Sequence, residues 1–335
     1  MRRAFLIVLV LGIIAAVVVR EVRLHRKPPM ELAYVGLQGA SIWNSTAEVR
    51  AAVANLSYGE PVQIFQRDGD HALVQTKTGL RGWVSSDSLL SSGLWHAAAL
   101  LNQETEGMPV QARGDTRARS NVHIRPGRQW EVISSAPGGT TVEMFAREAT
   151  ANVGRQSRPG SSSDSSNLED WYLVRANVKN AAQISGWVLG RLISWDLPEP
   201  LPEYQSSEHI NVVAWFEINR SVDSTGAVKP EYLLMGTRDG EGRPCDFTLV
   251  RVFTWSPKRH RYETGFVERG LCGSLPVQVV PATTPGGEAH FNFSNVDQKG
   301  QENRQYEMTL TTVHRINFGA REARKGRKRS GKARE

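Results

Sequence analysis

Beyond position 20 no long stretch repeats its apolar residues at a helical period; they alternate with polar ones in short runs broken by turn residues. Gly59 to Phe65 and Gly139 to Phe145 are two such runs, and Arg67-Asp68-Gly69-Asp70 and Thr76-Lys77-Thr78-Gly79 are typical breaks. A period of two sends successive side chains to opposite faces of a strand, so the pattern predicts an all-β protein. Toward the C-terminus it predicts strands near His209–Ile218, Glu231–Thr237, Phe247–Trp255, His260–Glu268, Leu275–Val280, Glu288–Asn295 and Arg304–Asn317. Seven strands at hairpin spacing suit a β-sandwich-like or open-sheet domain over residues 209–318. Pro198-Glu199-Pro200-Leu201-Pro202 lacks ladder donors, and residues 198–208 are expected to form a stiff Pro-rich linker.

Residues 1–30 are different. Met1-Arg2-Arg3 precedes sixteen uncharged residues, Ala4 to Val19, and a basic flank with Arg20, Arg23, Arg26 and Lys27 follows. As a helix the run is about 24 Å long against a hydrocarbon core of about 30 Å, a gap that snorkelling by Arg3 and Arg20 can close. A small-residue cleavage site is missing, because Ala15-Ala16 runs into Val17-Val18-Val19-Arg20. This favours an uncleaved signal anchor, one N-terminal transmembrane helix, over a cleaved signal peptide. The membrane is then a partner through residues 4–19, and the folded domains are expected outside the cytoplasm, in the periplasm or at the cell surface.

Between 33 and 195 the chain repeats itself. Gly59 to Phe65 matches Gly139 to Phe145 at an offset of 80, Ala72-Leu73-Val74-Gln75 matches Tyr172-Leu173-Val174-Arg175 at 100, and Arg81-Gly82-Trp83-Val84 matches Ser185-Gly186-Trp187-Val188 at 104. The second copy has gained its residues mainly in 148–170, where Ser157 to Asn167 is polar enough to read as a solvated loop. Asn121-Val122-His123-Ile124-Arg125-Pro126-Gly127, Val132-Ile133, Gly139 to Met144, Trp171 to Arg175 and Gly186-Trp187-Val188 follow one another in an order that resembles the bacterial SH3 (SH3b) domain. The first copy is looser: Ala40-Ser41-Ile42-Trp43-Asn44 opens it, and His71 replaces the first Trp. The resemblance implies two tandem SH3-like small barrels, residues 31–95 and 107–197. It also implies that they bind cell-wall peptides or partner proteins of the envelope.

Trp43, Tyr58, Trp83, Trp171, Tyr172 and Trp187 are the candidate ligand-binding residues, since aromatic rings give area at low entropic cost. Each also fits the core, and alternation predicts that one of Trp171 and Tyr172 points inward and the other outward. Arg125 and Arg175 read as surface groups.

Two cysteines, Cys245 and Cys272, exclude a disulfide-dense scaffold and four-Cys metal sites. In an exported chain a disulfide between them is expected. The rival is a catalytic thiol: Leu271-Cys272-Gly273-Ser274-Leu275 is faintly similar to the nucleophile segment of papain-like cell-wall peptidases, with His290 and His314 as bases by order. Cys272, however, is expected in a Gly-containing turn and not at the helix N-terminus that lowers a thiol pKa. No His-x-x-x-His or Glu-x-x-His spacing occurs, so neither a metal site nor a cofactor is expected.

The net charge of +7 is concentrated at the ends: residues 1–30 carry +5 and the basic tail 319–335 carries +6, leaving −4 on 31–318. The folded part thus lacks the basic face of a nucleic-acid-binding protein, and nucleic acid is not an expected partner unless the tail, read as disordered, recruits it. The expected function is non-enzymatic: a membrane-anchored envelope protein that binds peptidoglycan peptides or partner proteins. The alternatives are a cell-wall hydrolase or other enzyme with its site in the C-terminal β domain, or an adaptor acting through its tail.

Overall fold

A computed structural model describes residues 29–37, 40–152, 168–178 and 183–316. The apolar run Ala4–Val19, the Ser157–Asn167 stretch and the basic tail lie outside the described residues. Among the described residues no helix is long and apolar enough to cross a membrane. The protein is mostly β, with three seven-stranded antiparallel sheets, and it divides into two compact units, Met1–Ala97 and Ala98–Glu335.

The first unit holds β1 (Glu31–Val35), β2 (Ser41–Trp43), β3 (Ala52–Asn55), β4 (Pro61–Asp68), β5 (His71–Thr76), β6 (Arg81–Ser85) and β7 (Leu89–Ser91), in the order β3-β2-β6-β5-β4-β1-β7. Alternate residues fill its core: Val35, Ile42, Val62, Ile64, Val74 and Val84 are buried together. The second unit opens with β8 (Ala112–Thr116), β9 (Ser120–His123), β10 (Val132–Ala136), β11 (Thr141–Ala151), β12 (Leu168–Asn177), β13 (Ile184–Leu189) and β14 (Ile193–Trp195). Their order, β10-β9-β13-β12-β11-β8-β14, matches the first sheet position for position. The sequence repeat is therefore a repeat of topology. Its glycines show why: Gly59 and Gly139 both turn with positive φ, at 78° and 76°. A Cβ on Gly82 would lie 2.3 Å from Ile42 Cγ2, and one on Gly186 2.4 Å from Val122 Cγ1, so the Gly of each Gly-Trp-Val segment lets two strands approach.

Several expectations are corrected here. Helix α1 (Ser92–Glu106) was not anticipated; Ala97-Ala98-Ala99-Leu100-Leu101 are strong helix formers, but only Ala98 and Thr105 are buried, so no apolar stripe announced it. Residues 201–208 are not an extended linker, because Leu201–Glu208 form helix α2 with Pro202 in its first turn and Leu201 fully buried. The insertion is not all loop either. Ala151 pairs with Leu168 and Glu148 with Trp171, so its stems lengthen the β11–β12 hairpin.

The third sheet runs β15 (Asn211–Val222), β16 (Val228–Thr237), β17 (Phe247–Ser256), β18 (Arg261–Val280), β19 (Glu288–Asp297), β20 (Gly300–Thr309) and β21 (Thr312–Arg315). Each strand neighbours the next in sequence, which makes one continuous antiparallel meander, and its first strand meets the β18–β19 connection through Ala282 N–H to the Ile218 carbonyl and Gly286 N–H to the Arg220 carbonyl. Two predicted strands merge into β18, and the last predicted strand splits into β20 and β21. Val213, Leu233, Val252, Phe291, Phe293 and Tyr306 form the core on one face. On the other face Leu201 of α2 joins Ile210, Tyr232, Leu234, Leu249 and Phe253. Glu208 at the end of α2 accepts two hydrogen bonds from Arg251, at 2.5 and 2.8 Å, and pins the helix there.

Within the second unit the repeat and the meander are joined by buried polar contacts. Arg147 donates to Asp170 (2.6 Å), Asp246 (2.9 Å) and the Arg243 carbonyl (2.9 Å), while Arg243 and the Gly242 N–H also donate to Asp170. Gln111 exchanges two hydrogen bonds with the Val277 backbone.

Candidate functional site

Trp43 and Trp83 face each other across β2 and β6, and Leu73 of β5 is the next residue in the same cross-strand row. Residues at directly opposed positions share a face, so these three side chains form a band on the outside of the first sheet. His71 and Gln75 flank it at period two, and all five are half-buried. The Arg50 guanidinium lies 4.8 Å from the Trp43 ring centre and donates to His71 Nε2 at 2.6 Å. Arg81 lies 4.8 Å over the half-buried Phe65. Neither arginine has an acidic partner among the described residues. The surface thus combines flat apolar area with guanidinium groups free to meet an anion.

The same row in the second sheet is His123, Trp187 and Leu173. Trp43 and His71 of the first copy correspond to His123 and Trp171 of the second, so the Trp and the His have exchanged strands. Their rings meet edge to face at 5.0 Å. Here most of the outer face is closed, with Trp187 half-buried but His123 7% exposed, Trp171 2%, Leu173 6% and Phe145 0%. The β9–β10 loop is held down by Arg128, which makes two hydrogen bonds to Glu169 at 2.8 and 2.9 Å, and by His123 Nδ1 to the Trp130 carbonyl at 2.8 Å. Arg128 also holds the Glu169 carboxyl below its usual range, and burial lowers the His123 imidazole.

Of the six aromatic candidates, the structure brings Trp43 and Trp83 together and leaves Trp187 half-buried beside His123. Trp171 and Tyr172 are both enclosed, which corrects the expected inward and outward pair. They do point to opposite faces, but the His123 ring meets Trp171 edge to face, and Trp195, Gly190 and Arg243 enclose Tyr172. Tyr58 belongs to a separate cluster in which Trp95 stacks on Tyr34 at 5.1 Å and meets Tyr58 at 5.4 Å. Burial pushes the Tyr58 hydroxyl up to about 12. Sequence reasoning missed Arg50, which sits in the β2–β3 loop without any pattern, and Trp95, which depends on the unforeseen helix α1.

No family model and no curated protein matches this chain. Among solved structures, NlpC2 from Trichomonas vaginalis is similar over 73% of this chain and 98% of that one, at 10% identity and a TM-score of 0.18. A score that low carries no argument about fold or chemistry.

In the C-terminal sheet Cys272 lies within β18, not in a turn, and is bonded to Cys245. The Cys272 N–H donates to the Asn295 side chain at 3.0 Å. His290 and His314 stand on β19 and β21, and their neighbours in those strands, Ala289, Phe291 and Val313, enter the core. By alternation both histidines lie on the outer face.

Proposed function

We propose that this chain is a non-catalytic, membrane-anchored protein of the cell envelope whose first SH3-like domain holds an extended peptide. The occupant is a stem peptide of the cell wall or a segment of an envelope partner. The observation that carries the reading is the contrast between the two copies. All three residues of one Trp–Trp–Leu row are half-buried beside Arg50, whereas in its counterpart His123 and Leu173 are buried and Trp187 alone is half-buried. The second SH3-like domain serves as a mount, since Arg147 and Asp170 commit the end of its long hairpin to the C-terminal sheet. Aromatic rings would bury the short apolar side chains of such a peptide, and Arg50 and Arg81 would meet its carboxylates. An enzyme reading draws less support, because Cys272 is paired with Cys245 and sits on a strand without a helix dipole to activate it.

Calorimetric titration of the full chain with soluble wall peptides tests this. Binding is expected, and Trp83→Ala and Arg50→Ala should each weaken it by about tenfold or more, with unchanged melting behaviour. Trp187→Ala should alter it less than twofold. Absence of binding by the parent, or equal affinity in all variants, would overturn the proposal.

A further inference from the structure

On the outer face of the C-terminal sheet Glu288 and His290 stand two residues apart on β19, and Glu307 of β20 is the direct cross-strand partner of His290. A two-residue spacing returns to the same face of a strand, so all three side chains share that face, opposite the one that carries Ala289, Phe291, Tyr306 and Met308 into the core. Their nearest donor atoms all lie within 4.8 Å of one another, and His290 Nε2 is 2.7 Å from a Glu288 oxygen. On the far side of Glu307, His314 of β21 is in register with it and exposed. The converging donors therefore comprise one imidazole and two carboxylates on two adjacent strands, with His314 on the strand beyond. That mixture is unlike an acidic patch, which offers hard oxygen alone.

From this arrangement we infer a binding site for a first-row divalent transition ion such as Zn2+, with Glu288, His290 and Glu307 as its ligands. Zinc takes imidazole nitrogen and carboxylate oxygen at about 2.0 to 2.2 Å, which puts neighbouring tetrahedral donors roughly 3.3 Å apart. Small rotations of solvent-facing side chains bring donors already within 4.8 Å to that spacing. The fourth ligand of a tetrahedral ion would then be a water molecule. The spacing that betrays the site is Glu-x-His on a strand; a search for helical His-x-x-x-His or Glu-x-x-His spacing passes over it. Bound metal would tie β19 to β20 and would stabilise the sheet by mass action. The inference stands apart from the peptide-binding reading, since its residues lie in the other compact unit.

The test is titration of the untagged, EDTA-treated full chain with Zn2+, with Mg2+ and Ca2+ in parallel. One saturable Zn2+ per chain is expected, weakened at least tenfold by His290→Ala and by Glu307→Gln. Mg2+ and Ca2+ should bind at least a hundredfold more weakly. His260→Ala, an exposed residue in the turn before β18, should leave Zn2+ binding unchanged. All these side chains are exposed or half-buried, and circular dichroism will verify that each variant is folded. Equal Zn2+ affinity in the parent and His290→Ala, or Mg2+ binding as tight as Zn2+, would overturn the inference.

Discussion

Glu231→Gln should make the protein more stable at alkaline pH and remove much of its pH dependence. Glu231 lies on β16, is 1% exposed, and has one carboxylate oxygen with no hydrogen-bond partner among the described residues. Burial pushes its pKa from the usual 4.5 up to about 7, opposed only by a hydrogen bond from the Trp255 backbone. A carboxyl whose pKa is higher folded than unfolded favours the folded state while protonated. That contribution is complete below pH 4.5 and is lost as pH rises through about 7. A gap from 4.5 to about 7 corresponds to about 3 kcal/mol, and relaxation around the charge brings the expected loss to about 2 kcal/mol. Gln keeps the shape and never ionises. Urea unfolding of parent and variant at several pH values should therefore give free energies that agree within about 0.5 kcal/mol at about pH 4, with the variant about 2 kcal/mol more stable at about pH 9. Parallel pH profiles would refute the reasoning, because they would mean that Glu231 ionises in the folded state as easily as in water.

Asp170→Asn removes the carboxylate shared by two buried guanidinium groups, and the second sheet and the meander should then loosen from each other. The expected cost is about 3 to 5 kcal/mol, and calorimetry should resolve a transition that the parent lacks; a change under about 1 kcal/mol would contradict the buried network. The native chain should resist alkylation until reductant is added, with reduction costing about 3 to 4 kcal/mol through the loop between Cys245 and Cys272; labelling of both thiols without reductant would count against the pairing. Gly82→Ala should destabilise the first unit by about 1 to 3 kcal/mol through the clash with Ile42 and the Trp43 carbonyl, seen as a lower melting temperature of that unit. An unchanged melt would mean that β2 and β6 can separate without cost.

The strands and the repeat were legible because the information they need is local. Period two identifies a strand, and the Gly of Gly-Trp-Val must be small wherever two strands approach. The burial of Trp171 was not legible, since its ring meets that of His123, which is distant in the sequence. Cys272 was expected in a turn because glycines surround it. In the structure Gly270 has a φ of 72° inside β18, and Gly273 makes room for Phe247, so these glycines mark an irregular strand and a close contact. Helix α1 escaped notice because its interior is Ala-rich without a continuous apolar stripe. Proline-based reasoning misread residues 201–208, where Pro202 starts a helix.

The most direct test of the binding reading is to follow the tryptophan indole N–H resonances of the isotope-labelled chain during titration with a soluble wall peptide. Signals of Trp43 and Trp83, assigned from single Trp→Phe variants, should shift together and saturate, while that of the enclosed Trp171 stays in place. Shifts confined to other tryptophans, or none at saturating peptide, would contradict the assignment of the first sheet's outer face as the binding surface.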